Sequence, residues 1–229
     1  MSEAVIDTAA GDAATLAIEA PSDAATRSRL YGLFATALQF PQGDIGAALA
    51  DGELYAALTD TARALPYRYT FVAPGLRDAR GLGQTHTALF DAIASRPKVA
   101  LLEARHDGAP PEQQLWEELL RFYRYFGLDF STGGARERPD HLLTEIEFMH
   151  YLAFLEAGAP PDNTDNLRRA QADFLDRHLA RWLPALAAGL AELGDEAAPY
   201  GVLVDALARF VGADCAYLGV GHAGPPPQS

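Results

Sequence analysis

The chain has few groups that could form covalent cross-links or bind anions. Cys215 is the only cysteine among its 229 residues, so no disulfide can form within the chain, which fits a reducing compartment. Lysine and arginine number 18 against 31 aspartate and glutamate residues, the formal net charge is −13, and Lys98 is the only lysine. This balance disfavours binding to nucleic acid or to an anionic membrane and favours a cationic partner.

Long apolar runs and the short motifs of common enzymes are also missing. No segment approaches the roughly 20 consecutive apolar residues of a membrane-spanning helix. The first twenty residues contain no lysine or arginine, unlike a secretory signal. We therefore expect a cytoplasmic protein without stable membrane association. Gly81 and Gly83 lie in no phosphate-binding loop, and no serine or cysteine lies in a nucleophile elbow, so we predict that the chain is not an enzyme.

Apolar residues make up 49% of the sequence and recur mainly at the 3.6-residue spacing of amphipathic helices. This pattern predicts an all-α, single-domain helical bundle over residues 22–218, between flexible tails at 1–21 and 219–229. One aromatic stretch, residues 67–74, has no partner strand and is predicted to be a packed loop. The predicted helices cover residues 27–40, 45–65, 85–93, 98–106, 112–126, 140–156, 162–190 (with a bend at Pro184) and 200–211.

The stretch from residue 137 to residue 156 joins a polar loop to the most hydrophobic predicted helix. Apolar side chains nearly encircle this helix, which is typical of a helix inside a bundle. Its polar side chains form one narrow stripe at the spacing i, i+4, i+7, i+11: Asp140, Thr144, Glu147 and Tyr151. A polar stripe on a buried helix requires hydrogen-bonding partners or water.

Three motifs lie in and beside this stretch. The first is ERPDHL at residues 137–142, in which Arg138 precedes Pro139, followed by EIEFM at residues 145–149. The second is FYRYFGL at residues 122–128, and the third is QADFLDRHLARWLP at residues 171–184. Together they resemble the TorD/DmsD/NarJ family of cytoplasmic molybdoenzyme chaperones. The resemblance extends from residue 27 to residue 211 and points to the subgroup that serves ethylbenzene and dimethyl sulfide dehydrogenase-type enzymes.

The resemblance implies a dedicated chaperone for redox-enzyme maturation. Such a chaperone binds the apo catalytic subunit of a molybdopterin-dependent oxidoreductase and its twin-arginine leader. It also assists insertion of a molybdopterin guanine dinucleotide cofactor before export. The chaperone itself is implied to hold no cofactor stably and to be a monomer or weak dimer.

A twin-arginine leader has a basic region followed by an apolar one, so carboxylates beside an apolar groove are expected to bind it. The leader- and client-binding residues that the resemblance implies are Trp116, Phe122, Tyr123, Phe126, Gly127, Glu137, Pro139, Asp140, His141 and Glu145.

The same residues also allow a purely structural interpretation. Asp140 and His141 open the central helix, where the helix dipole and the first-turn amides favour an acid, so this motif is equally consistent with a helix start. Arg168 and Arg169 lie on the predicted solvated face of an amphipathic helix and do not form an export signal.

Two further function classes compete with the chaperone. Glu103-x-x-His106 and Glu147-x-x-His150 match the spacing that di-iron carboxylate bundles use twice. We disfavour a di-iron enzyme because such a site needs two more inward-facing glutamates and the first pair lies at a predicted helix end. The third class is a helical adaptor with no connection to a cofactor.

Overall fold

The computed structural model describes residues 21–91, 97–129 and 138–219, and these residues contain helices but no β-strand. The predicted all-α class is therefore confirmed. Almost all of the two predicted tails lies outside the described residues. In the described part, no helix is both long and apolar enough to cross a membrane. The α-helices are α1 Asp23–Leu38, α2 Gly43–Ala50, α3 Glu53–Arg63, α4 Ala79–Phe90, α5 Glu112–Tyr125, α6 Leu142–Ala157, α7 Pro161–Arg177, α8 Leu179–Glu192 and α9 Tyr200–Leu218.

Helix α6 lies at the centre of the bundle, between α1 and α7. Its apolar side chains are buried on several faces, among them Ile146, Phe148 and Leu152, which confirms the interpretation of its all-round apolar sequence. Gly32 of α1 leaves room for the His150 side chain of α6, since a Cβ at this position would lie 3.3 Å from Nδ1 of His150. Helices α8 and α9 form a second pair that packs against this centre.

Two predicted helices are each divided in the structure. The predicted helix at residues 45–65 is wrong because Asp51 and Gly52 separate α2 from α3, and Gly52 has φ of 80°, a conformation that favours glycine. The predicted helix at residues 162–190 is likewise two helices. They meet at His178, whose φ of −125° and ψ of −98° are not helical, whereas Pro184 lies inside α8.

The predicted helix at residues 98–106 is also wrong. Only Glu103–Arg105 forms a short 3₁₀ turn there. The neighbouring backbone pairs with the start of α6: Glu103 N donates to Asp140 O at 2.9 Å, and Leu142 N donates to Leu101 O at 2.9 Å. These bonds form the isolated bridge between Leu102 and His141, and they hold the segment before α5 in an extended conformation.

The segment between α3 and α4 confirms the predicted packed loop. The Tyr69 hydroxyl donates to the Ala206 carbonyl at 2.9 Å, and the Phe71 side chain is buried. The following helix, α4, begins earlier than predicted because the Asp78 carboxylate accepts a hydrogen bond from Gly81 N at 2.7 Å and caps it. The last helix, α9, continues beyond the predicted residue 211.

A buried arginine connects four helices. The Arg27 side chain is fully buried on α1, and its guanidinium contacts Asp214 of α9 at 2.5 Å, Glu156 of α6 at 2.9 Å and Gln171 of α7 at 2.7 Å. Burial alone would lower the pKa of Arg27, but the hydrogen bond and charge of Asp214 raise it above its ordinary value. Arg27 is therefore a buried cation with paired anions.

Arg168 extends this cluster towards the surface. Its Nη1 donates to Glu156 Oε1 at 3.1 Å, and its guanidinium lies over the Tyr217 ring at 4.7 Å. Arg168 is only partly solvated, with 30% of its side chain exposed, because it pairs with a carboxylate of the buried cluster. Arg169, the next residue, is exposed.

Candidate functional site

Asp140 is the centre of a hydrogen-bonded cluster where the Leu102–His141 bridge meets the start of α6. Its buried Oδ1 accepts from Trp116 Nε1 at 2.9 Å and from Arg138 Nε at 3.0 Å. Its Oδ2 accepts from Arg138 Nη2 at 3.1 Å. The Arg138 guanidinium also lies over the Trp116 ring at 4.8 Å. Asp140 thus ties α5 to the start of α6 through contacts within the chain.

The residues on either side of Asp140 shape the same turn. His141 is the N-cap of α6, and its Nδ1 accepts a hydrogen bond from Leu143 N at 3.2 Å. The Tyr123 hydroxyl of α5 donates to the Pro139 carbonyl at 2.8 Å. Burial raises the pKa of Tyr123 well above its ordinary value, so the phenol keeps the proton that it donates. These contacts support the structural interpretation of the motif.

Glu145 belongs to a second buried polar cluster, one turn further along α6. Its Oε2 accepts from Trp182 Nε1 at 3.1 Å. Burial, followed by the charge of Glu103, raises the pKa of Glu145 well above its ordinary value. His178 Nδ1 lies 3.0 Å from Glu103 Oε2. In the described part of the chain, Glu145 Oε1 and His178 Nε2 have no hydrogen-bond partner.

An open groove lies between α5 and α7, on the surface above these clusters. Two adjoining cavities of 460 Å³ and 620 Å³ share Tyr125, Phe126, Arg169 and Ala170 in their lining. Tyr125 is 82% exposed, and the half-buried Phe122 lines the first cavity beside it. Both volumes fall in the range of about 300–1,000 Å³ that is usual for binding pockets. We call this surface the aromatic groove.

Both signs of charge border the aromatic groove. Its carboxylates are Glu118 and Asp173, and its arginines are Arg121, Arg169 and Arg177. An apolar floor with a charged border can hold a peptide that carries an apolar segment next to charged residues.

A further cavity of 410 Å³ lies on the other side of the motif and is lined by His141, His86, Phe40 and Phe90, among others. Burial lowers the pKa of His86, so its ring is neutral at physiological pH. This cavity lies next to the N-cap of α6, and its mainly apolar lining also contains the carboxylate of Asp91.

The predicted site residues fall into two groups in the structure. Phe122 and Phe126 line the aromatic groove, and Gly127 follows them with φ of 76° at the end of α5. In contrast, Asp140 and Glu145 are fully buried, while Glu137 lies outside the described residues. The carboxylates that border the groove are therefore different from the acids that the motif indicated.

Sequence analysis identified Phe122 and Phe126 but missed three groove-lining residues of α5, Glu118, Arg121 and Tyr125, although a signal was present. Glu118, Arg121, Phe122 and Tyr125 follow the spacing i, i+3, i+4, i+7 and so share one face of the helix. Such a face combines two aromatic rings with charged groups, and an exposed aromatic on a helix is a stronger indication of binding than a buried one.

The two Glu-x-x-His pairs do not converge on one site. Glu103 faces His178, and His106 Nε2 lies 3.0 Å from a backbone carbonyl oxygen. His150 Nδ1 instead lies 2.9 Å from Ser28 Oγ, between α6 and α1. Within residues 21–91, 97–129 and 138–219, no group of three or more histidine, cysteine, aspartate or glutamate side chains is arranged to hold a metal ion. This geometry gives the di-iron alternative no support.

Comparison with known proteins finds several related chains. The chain is 34% identical over 199 residues to the perchlorate reductase assembly chaperone protein of Dechloromonas aromatica (strain RCB), covering 82% of this chain and 87% of that protein. It is 38% identical over 136 residues to the selenate reductase assembly chaperone protein of Thauera selenatis, covering 58% and 68%. The dimethyl sulfide dehydrogenase assembly chaperone protein of Rhodovulum sulfidophilum is 36% identical over 183 residues, covering 73% and 72%.

The helical bundle and these relatives define a redox-enzyme assembly chaperone rather than a catalyst. The chain belongs to the nitrate reductase delta subunit family, whose profile matches residues 48–188. The resemblance noted in the sequence is thereby confirmed.

Proposed function

We propose that this chaperone acts in the cytoplasm on the catalytic subunit of a molybdenum oxidoreductase. It binds the apo subunit and its twin-arginine leader, and it assists insertion of molybdopterin guanine dinucleotide, which is cargo for the client and is not retained by the chaperone. Three kinds of relative support this class of client, since their names refer to selenate reductase, perchlorate reductase and dimethyl sulfide dehydrogenase. The last agrees with the subgroup that the sequence resembles.

The aromatic groove is the observation that carries the proposal for leader binding. An apolar leader segment can pack on Phe122, Tyr125 and Phe126 and cover rings that are otherwise in contact with water. The basic region of the leader is attracted by the chain as a whole, because the net charge is −13. We assign supporting roles to Asp140, Glu145 and the other buried motif residues, which fix the position of α5 against α6.

The test is titration calorimetry with a synthetic peptide that carries two consecutive arginines followed by an apolar segment. Tyr125→Ala should weaken binding by roughly fivefold to fiftyfold, since a large aromatic anchor typically contributes about 1–2 kcal/mol or more to an interface. The fold should be unaffected, because the Tyr125 side chain is 82% exposed. Raising the salt concentration should weaken binding of the wild type and of the variant in proportion.

Phe154→Ala is the matched control, because Phe154 is 62% exposed and does not line the groove. Its affinity for the peptide should equal that of the wild type. Equal weakening by both substitutions would mean that general surface hydrophobicity, rather than the aromatic groove, holds the peptide.

A further inference from the structure

The arginine at the end of α7 occupies a small site on the wall of the aromatic groove. Arg177 Nη2 donates to Glu118 Oε1, and Nη1 lies 3.5 Å from Asp173 Oδ2. Its guanidinium lies over the Phe122 ring, 5.7 Å from the centroid. Two carboxylates and an aromatic face are the surroundings that guanidinium groups prefer in proteins. Arg177 thus shows that the groove wall accommodates an arginine side chain.

A buried histidine nitrogen lies directly behind this site. His178 Nε2 is 3.7 Å from Glu118 Oε1, it has no hydrogen-bond partner among the described residues, and the side chain is 1% exposed. His178 Nδ1 faces the Glu103 carboxylate, so in the neutral ring the proton lies on Nδ1 and Nε2 is an acceptor. A buried acceptor without a partner is unfavourable, and a hydrogen-bond donor entering beside Glu118 would satisfy it.

We propose that Glu118, Asp173 and Phe122 form a guanidinium-binding site that Arg177 fills in the free chaperone and that an arginine of the bound leader enters by displacing Arg177. This inference rests on the proposed function and assigns recognition of the leader's arginines to residues outside the Asp140 motif. Because it is not tethered to α7, the incoming guanidinium can also orient one of its N–H donors towards His178 Nε2.

The structure explains why Arg177 can leave this site at low cost. Its side chain is 43% exposed, and its carboxylate partners are 22% and 53% exposed, so water screens both ion pairs. Arg177 is the last residue of α7, and an outward rotation of its side chain requires no change in the core. A lysine of the client would fit less well, because an ammonium group lacks the planar fork that contacts two carboxylates at once.

Calorimetry with the twin-arginine peptide tests the displacement. Arg177→Ala removes the competing group, so the peptide should bind roughly threefold to tenfold more tightly, as expected for loss of a partly exposed ion pair and cation–π contact. Glu118→Gln should bind it about tenfold or more weakly, since a charge-assisted contact is lost. A peptide with two lysines in place of the arginines should bind the wild type more weakly.

Arg63→Ala is the control for net charge, because the Arg63 side chain is 75% exposed, does not line the groove, and its removal changes the charge by the same amount. Its affinity should change by less than about twofold, as expected from screened long-range attraction. Circular dichroism and thermal melts of every variant establish that the fold is intact.

Two results would overturn the displacement proposal while leaving leader binding in place. In the first, the wild type binds the arginine peptide and the Arg177→Ala variant binds it no more tightly than the wild type does. The other is equal affinity of the wild type for the arginine and lysine peptides. Failure of the wild type to bind either peptide would instead remove the proposed leader binding itself, and the guanidinium site with it.

Discussion

Replacing Asp140 should destabilise the fold and leave peptide binding almost unchanged. The buried carboxylate accepts from Trp116 Nε1, and a hydrogen bond to a charged group contributes about 1.5–3 kcal/mol. Its ion pair with Arg138 adds roughly 1 kcal/mol or less, because Arg138 is 29% exposed and also contacts Glu112 at 2.7 Å. Asp140→Ala should therefore lower the free energy of unfolding by about 2–4 kcal/mol, which sums these two contributions.

Thermal melting followed by circular dichroism measures this loss. For a domain of this size the midpoint should fall by roughly 5–15 °C, since each 1 kcal/mol corresponds to about 2–4 °C. Asp140→Asn should lose less, because the amide oxygen can still accept from Trp116. Asp60→Ala is the matched control, because the Asp60 side chain is 74% exposed and its ion pair with Arg63 contributes little.

The same variants separate a structural role of Asp140 from direct recognition. Below its melting point, Asp140→Ala should bind the twin-arginine peptide within about twofold of the wild type, because a buried carboxylate cannot reach a ligand on the surface. An unchanged melting point combined with a tenfold or greater loss of affinity would refute this reasoning and place Asp140 in contact with the leader.

Two further predictions concern the buried charges. Arg27→Met leaves Asp214 and Glu156 without their buried cation, so urea unfolding should show that the free energy of unfolding falls by about 3–5 kcal/mol. A decrease below about 1 kcal/mol would contradict the role of Arg27 in connecting the four helices. The pKa of Glu145 is raised in the folded state, whereas the unfolded chain releases this proton near pH 4.3. The folded chain therefore binds more protons than the unfolded chain above this pH, and the free energy of unfolding falls as pH rises from about 4.3 through the raised pKa. Glu145→Gln should reduce this dependence of stability on pH, and its melting temperature at neutral pH should be at least that of the wild type. Glu192→Gln, at an exposed position, is the control and should show the same dependence of melting temperature on pH as the wild type.

The elements that could be predicted from sequence are those whose information is local. The period of apolar residues and Gly127 locate α5, and the nearly all-round apolar sequence of α6 indicates a central helix. The short loop with Tyr69 and Phe71 also follows from local pattern, since an aromatic stretch without a partner strand must pack on helices.

The wrong predictions arise where distant parts of the chain meet. Residues 98–106 have a helical pattern, but their backbone hydrogen bonds go to Asp140 and Leu142, which no local pattern shows. The boundary between α7 and α8 falls at His178 because this residue turns towards Glu103, 75 positions earlier. Proline is the stronger local signal for a break, so the sequence pattern pointed to Pro184 instead.

The candidate site was predictable only in part for the same reason. Phe122 and Phe126, which were predicted as binding residues, line the aromatic groove, and their contact with a leader stays a prediction. Whether an acid in the motif faces water or the core depends on tertiary partners such as Trp116 and Trp182, which lie on other helices. Leader binding by the motif acids stays a prediction, and the burial of Asp140 and Glu145 favours a supporting role for them.

The ion pair between Arg27 and Asp214 joins the first helix to the last described one, 187 positions apart. During synthesis on the ribosome, α1 emerges long before α9, and the Arg27 cation cannot be buried favourably until Asp214 is available. The four-helix core is therefore completed only after residue 214 has been made. A translation product that ends before Asp214 would lack the partner that permits this core to close.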